Sequence, residues 1–154
     1  MMCPAARSAP FFRKMRFPDT HPTLSEADIA SIVPAFYAKV RQDNLLGPIF
    51  EDAVDAWPEH LAKLQDFWSS VMLASGRYKG QPMPAHILHE AQITPAAFAR
   101  WLELWSEATD ALLPPDAAAA MQEKAGRIAE VFALGILCDR QRLVPSTHAA
   151  AELR

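Results

Sequence analysis

The residues of this 154-residue chain best able to do chemistry are a phenol, an indole and several imidazoles. Tyr37, His60 and Trp101 each fall inside a stripe of apolar side chains at helical spacing, and so on the helix face that turns inward. Ile29, Ile32, Val33, Phe36, Tyr37 and Val40 recur at offsets 0, 3, 4, 7, 8 and 11. Trp57, His60, Leu61, Leu64, Phe67, Trp68 and Val71 make a second stripe, and Phe98, Trp101, Leu102, Trp105 and Leu112 a third. A buried donor without a partner costs ~1–3 kcal/mol, so each of these polar groups needs company. Taken singly, an inward Tyr, Trp or His is ordinarily core, with its polar tip satisfied. Three of them, from three helices and with no acidic partner on those faces, suggest a pocket with a polar ceiling.

Two further histidines, His86 and His89, lie in "GRYKGQPMPAHILHE" at 76–90. Gly76, Gly80, Pro82 and Pro84 make that stretch a poor helix between two good ones. What it binds is the question it raises.

The elements that must position these groups are helical. Thr23-Leu-Ser-Glu26 has the form of a capping box, in which hydroxyl and carboxylate each satisfy an orphan backbone N–H. Pro34 lies inside the first stripe and predicts a boundary between a short first helix and a second, since an interior proline costs ~3 kcal/mol. "DNLLGPIF" reads as a turn followed by apolar contacts. The next helix opens near Trp57 with Pro58 in its first turn, and Gly76 is placed to end it. Thr94-Pro95 starts another, stopped by Pro114-Pro115, and Asp116 is placed to cap the last. That helix turns Met121, Ala125, Ile128, Val131, Phe132 and Gly135 to one side and ends before Pro145. No window alternates as a strand does, and there is no internal repeat, no GxGxxG and no P-loop. The chain is expected to be all-α.

Composition sets the outer bounds. Apolar residues are 51% and charged residues 21% of the chain, as in a soluble globular domain large enough to bury a core. A formal charge of −3 offers nucleic acid no basic footprint. Cys3 and Cys138 are the two cysteines, too few for a disulfide framework or a Cys-rich zinc site, and they suit a reducing cytoplasm. No apolar run approaches the roughly 20 residues of a membrane span. Residues 1–22 carry four basic side chains, one acidic and four prolines, against 11 basic and 17 acidic in the remainder. This start is read as a disordered basic extension, with Met15 as a second available start. Its "PFF" is too short for a secretory signal. Residues 23–144 form the domain and 145–154 a tail.

Four segments together are similar to the truncated haemoglobins, most of all to their group III branch. They are "AFYAKVRQDNLLGPIF" at 35–50, "WPEHLAKLQDFW" at 57–68, "GRYKGQPMPAH" at 76–86 and "FARWLELW" at 98–105. They stand in order at compatible spacings over about residues 24 to 142. The resemblance implies an all-α, truncated globin-like two-on-two helical sandwich around a haem. It implies haem b, since no CxxCH for covalent attachment is present.

By position, His86 matches the proximal iron ligand, for which a neutral imidazole is well suited. His89 matches no family position and is read as surface. On the opposite side of the iron, Tyr37 matches the distal tyrosine, His60 the distal histidine and Trp101 the tryptophan facing the same pocket. Leu64, Phe67 and Trp68 would line the cleft, with Phe36, Phe50 and Phe98 as further apolar walls. Preorganised O–H and N–H donors in a dry pocket stabilise a polarised diatomic ligand. The chain departs from the family in its first 22 residues and in the short link from Phe50 to Trp57. That link leaves three orientations open for His60: into the pocket, out to solvent, or onto the iron.

The function implied is reversible binding of oxygen or another diatomic gas at ferrous iron, by a cytoplasmic monomer without nucleic-acid or membrane partners. A haem-dependent nitric oxide dioxygenase or peroxidase is the enzymatic rival. It would need an external reductase, because no flavin or nicotinamide motif occurs here. A helical interaction module without haem, its inward His and Tyr merely core, is the rival of another class.

Overall fold

The computed structural model describes residues 23–80 and 93–143, with side-chain surroundings as far as 136. The described residues form five helices and no strand: α1 Glu26–Gln42, α2 Leu46–Ala53, α3 Trp57–Leu73, α4 Pro95–Leu112 and α5 Pro115–Leu143. The expected ligand His86 and its neighbour His89 lie outside the described residues, as do residues 1–22 and 144–154.

The first helix begins with a capping box, two residues later than Thr23 and Glu26 suggest. The Ser25 hydroxyl accepts from the Asp28 N–H at 3.2 Å, and the Asp28 carboxylate accepts from the Ser25 N–H at 2.8 Å. An aspartate at the third helical position serves as the glutamate would. Thr23 instead donates to the Asp116 carboxylate at 3.3 Å. Glu26 is thereby left for the Ser69 hydroxyl and for Arg77.

Pro34 does not divide the helix; α1 runs through it. The carbonyl that loses its partner belongs to Ala30, an exposed residue, so its desolvation is not part of the cost. Against that cost, α1 buries Ile29, Ile32, Val33, Phe36, Tyr37 and Val40, and each large apolar side chain so buried contributes about 1.5–3 kcal/mol. Burial wins.

The segment read as a turn is in part the helix α2. The Asp43 carboxylate starts it, accepting from the N–H groups of Leu45 at 3.1 Å and Leu46 at 3.0 Å, as an Asx-type cap does. A Cβ on Gly47 would lie 2.8 Å from the Arg41 carbonyl oxygen, so only glycine lets α2 fold back so closely on the end of α1. Arg100 of α4 donates to the same aspartate at 2.7 Å and ties the corner to the other half of the fold.

Helix α3 ends at Ala74, in the left-handed region at φ 53°, with Gly76 at φ 68° two residues on. Thr94 caps α4 by accepting from the Ala97 N–H at 3.2 Å. Asp116 lies within the first turn of α5 rather than before it. Its carboxylate accepts from the adjacent Ala117 N–H and from Thr23. Two residues placed on inner faces are exposed instead, Leu112 at 49% and Val131 at 38%. Near the end of α4 the chain turns Leu113 inward in place of Leu112, while Ile128 and Phe132 hold the inner face of α5 on either side of Val131.

Helix α1 packs on α3, α4 packs on α5, and a contact between α1 and α4 joins the two pairs into a two-on-two sandwich. At its centre Trp68 of α3 stacks on Trp105 of α4, ring centroids 4.4 Å apart. Trp105 donates its indole N–H to the Met121 carbonyl on α5 at 3.2 Å, and Phe36 of α1 meets it edge-on at 4.7 Å. No helix among the described residues is long and apolar enough to cross a membrane.

Candidate functional site

Between the centre of the sandwich and α2, four helices send aromatic and polar side chains toward one another. Tyr37 comes from α1, Phe50 from α2, Trp57 and His60 from α3, and Trp101 from α4. The Tyr37 ring lies edge-on to Phe36 at 4.7 Å, to Phe50 at 5.7 Å and to His60 at 6.1 Å. Trp57 lies 6.2 Å from Tyr37 and 5.6 Å from His60. Trp101 is edge-on to Phe36 at 5.6 Å and stacks on Trp105 at 5.8 Å. The three polar residues that the sequence sets on three helix faces are thus gathered in one place. The His60 ring lies beside Tyr37, not out in solvent.

The phenol of Tyr37 is 4% exposed, and burial raises its pKa well above the ordinary tyrosine value. A hydrogen bond with the Trp101 side chain opposes that rise without cancelling it. An indole N–H only donates, so in this bond the phenol oxygen is the acceptor. The Tyr37 proton is thereby left to point elsewhere. The group is a neutral O–H donor at every physiological pH.

Apolar residues surround this cluster with unequal burial. Phe36 and Trp68 are fully buried and Phe67 nearly so, their rings engaged by Trp105, by one another and by Tyr78. Phe50, Leu61, Leu64, Phe98 and Trp101 pack against the core yet stay only partly buried. Among the described residues, then, the inner edges of α2, α3 and α4 keep apolar surface that their own contacts do not cover.

Sequence reasoning set Trp57 on the inner face without giving it a role at the site. Its indole Nε1 is buried and has no hydrogen-bond partner among the described residues. Arg41 lies over its ring, the guanidinium carbon 4.6 Å from the centroid, and donates to Glu51 at 2.8 Å. The signal was present: Trp57 stands three residues before His60, on the same helix face.

A surface cleft of about 310 Å³ opens elsewhere, between the start of α1 and the later turns of α3. Its lining includes Glu26, Gln65, Asp66 and Arg77 and shares no residue with the aromatic cluster. The Glu26–Arg77 ion pair at 3.4 Å is half-exposed, and such pairs contribute little. The cluster around Tyr37 is the better candidate. No group of three or more His, Cys, Asp or Glu able to hold a metal occurs among the described residues.

No family model matches the chain. Its sequence is 34% identical over 114 residues to the Group 3 truncated hemoglobin ctb of Campylobacter jejuni, covering 71% of this chain and 89% of that one. The fold is similar to the crystal structure of the group III truncated hemoglobin from Campylobacter jejuni. The TM-score is 0.64 at 32% identity, over 74% of this chain and 92% of the other.

Proposed function

Because the chain belongs to the group III truncated haemoglobins, and so to a family of haem-binding globins, we propose that it holds haem b through His86 and reversibly binds oxygen or another diatomic gas. The observation that carries this reading is the Tyr37 phenol, buried, beside the Trp101 indole and facing His60. A core tyrosine needs one partner to be satisfied. Toward an indole, which only donates, this one can only accept, and its proton remains for a ligand.

The described residues suit the distal half of a haem site. A flat apolar macrocycle is stabilised by about 25 cal/mol for each Å² of apolar surface it covers, and the part-buried Phe50, Leu61, Leu64 and Phe98 offer such surface. A haem iron asks the protein for one imidazole rather than for a cluster of ligands, and His86, in its Gly-Gln-Pro context, is the residue proposed to supply it. When bound, the haem supplies the ferrous iron at which the gas binds.

The remaining chemistry belongs to the chain. Tyr37 would donate its proton to the far atom of a polar diatomic ligand. Trp101 would hold the phenol oxygen in place, so that little freedom is lost when that bond forms. Phe36, Phe50 and the ring of Trp57 would keep water out, which strengthens each hydrogen bond made inside. His60, beside Tyr37, would add a polar ring to the same wall of the pocket.

The absorbance spectrum of the purified protein tests the reading. We expect an intense Soret band that shifts with carbon monoxide after reduction. His86→Gly should lose stable haem or recover it with added imidazole. A chain that shows no Soret band after expression with ample haem is not a gas-binding globin, and the proposal fails.

A further inference from the structure

We propose that Trp57 is a second hydrogen-bond donor of the ligand pocket, and that the pocket therefore takes small ligands with two acceptor atoms, such as a bent oxyanion. This rests on the haem reading above. Trp57 Nε1 is a buried donor with no partner among the described residues, and buried N–H groups in native proteins are nearly always bonded. The ring is not loose. Arg41 covers it at 4.6 Å, Phe50 stacks near it at 6.5 Å, and His60 meets it edge-on at 5.6 Å. An indole held on three sides keeps its N–H where it is, so the acceptor must come from an occupant.

Two donors in this pocket are then left to an occupant, the Tyr37 O–H and the Trp57 N–H. They stand on different helices, with ring centroids 6.2 Å apart. A diatomic ligand offers one outer atom, and Tyr37 alone suffices for it. A bent ion with two oxygens, one toward each donor, would use both. Arg41 adds to this, since a cation over the indole face draws charge from the ring and strengthens its N–H as a donor. Trp57 thus sets specificity among ligands, while Tyr37 serves all of them.

The test uses ferric holoprotein and two probes, nitrite with two oxygen acceptors and cyanide with one nitrogen, each titrated by its Soret shift. Trp57→Phe should raise the nitrite Kd by about tenfold, the loss of one hydrogen bond to a charged ligand, and the cyanide Kd by less than about twofold. Trp57→Tyr guards against a packing effect, because it differs from the Phe variant by one hydroxyl donor. It should bind nitrite several-fold more tightly than Trp57→Phe. Equal nitrite affinity in the Phe and Tyr variants, or equal weakening of nitrite and cyanide, would overturn the assignment. A wild-type protein with no Soret band would overturn the haem reading and this inference with it. A wild-type protein that shifts normally, beside a Trp57→Phe variant that binds nitrite unchanged, would overturn this inference alone.

Discussion

Replacing Tyr37 by Phe removes one oxygen from the aromatic cluster and leaves its volume nearly unchanged. The ring should stay where it is, since Phe36, Phe50, Trp57 and His60 hold it on several sides and the phenol is 4% exposed. Two bonds go with that oxygen. One is the interaction of that oxygen with the Trp101 indole, whose loss costs at most about 1 kcal/mol of stability. The other is the proposed bond from the phenol to the ligand. A bound oxygen molecule carries partial negative charge at its outer atom, so that bond falls in the ~1.5–3 kcal/mol range of charge-assisted hydrogen bonds. At 1.4 kcal/mol per factor of ten, oxygen should leave roughly ten- to a hundredfold faster. Carbon monoxide is less polar, and its dissociation should change far less. Stopped-flow displacement of each gas from reduced protein measures both rates. A phenol that only fills space predicts a different pattern, in which both gases leave faster together because the pocket has loosened. Unchanged oxygen dissociation in Tyr37→Phe refutes the reasoning.

Other perturbations read other parts of the argument. Trp101→Phe should also speed oxygen release, and the double variant with Tyr37→Phe should fall short of the sum, because Trp101 acts through the Tyr37 oxygen; additive effects on the dissociation rate would separate the two residues. His86→Ala should abolish the haem spectrum while His89→Ala leaves it intact, and a normal spectrum from the first variant would reassign the iron ligand. Asp43→Ala should destabilise the fold by ~0.5–2 kcal/mol in chemical denaturation, the usual loss for a helix-starting cap. The Leu46 N–H and, with it, Arg100 and Leu45 hold the Asp43 carboxyl below its ordinary pKa. A depressed carboxyl stabilises fully above its unfolded pKa of about 3.9 and loses that contribution as pH falls through the folded value. The gap between wild type and Asp43→Ala should therefore close below about pH 4, and a constant gap at all pH values would mean the charge is irrelevant. Deleting residues 1–14 should leave haem content and the melting temperature nearly unchanged, as loss of a terminus usually does; a fall of many degrees would show that those residues pack on the domain.

What was legible in the sequence, and what was not, divides by the range of the interaction responsible. Burial of Ile29, Ile32, Val33, Phe36, Tyr37 and Val40 was plain from spacing, because a helix face is fixed by neighbours three and four residues away. Pro34 misled because its penalty is local while the reward is not. The covering of that face by α3 and α4 keeps one helix where the isolated segment would break. The start of α2 was missed for a similar reason. Asp43 caps α2 through one oxygen while Arg100, 57 residues on, takes the other, and Gly47 matters only because the Arg41 carbonyl comes within reach. The site itself follows the same rule. That Tyr37, His60 and Trp101 face inward was readable residue by residue; that they meet was an inference from number and from the group III resemblance. The approach of the Trp101 indole to Tyr37, which works against the rise in the phenol pKa, joins residues 64 positions apart, and no periodicity encodes it. The donor on Trp57 is the instructive case. Its place in the inner stripe was evident, but its want of a partner is a property of everything around it, and in the folded chain that want is what marks it for a ligand.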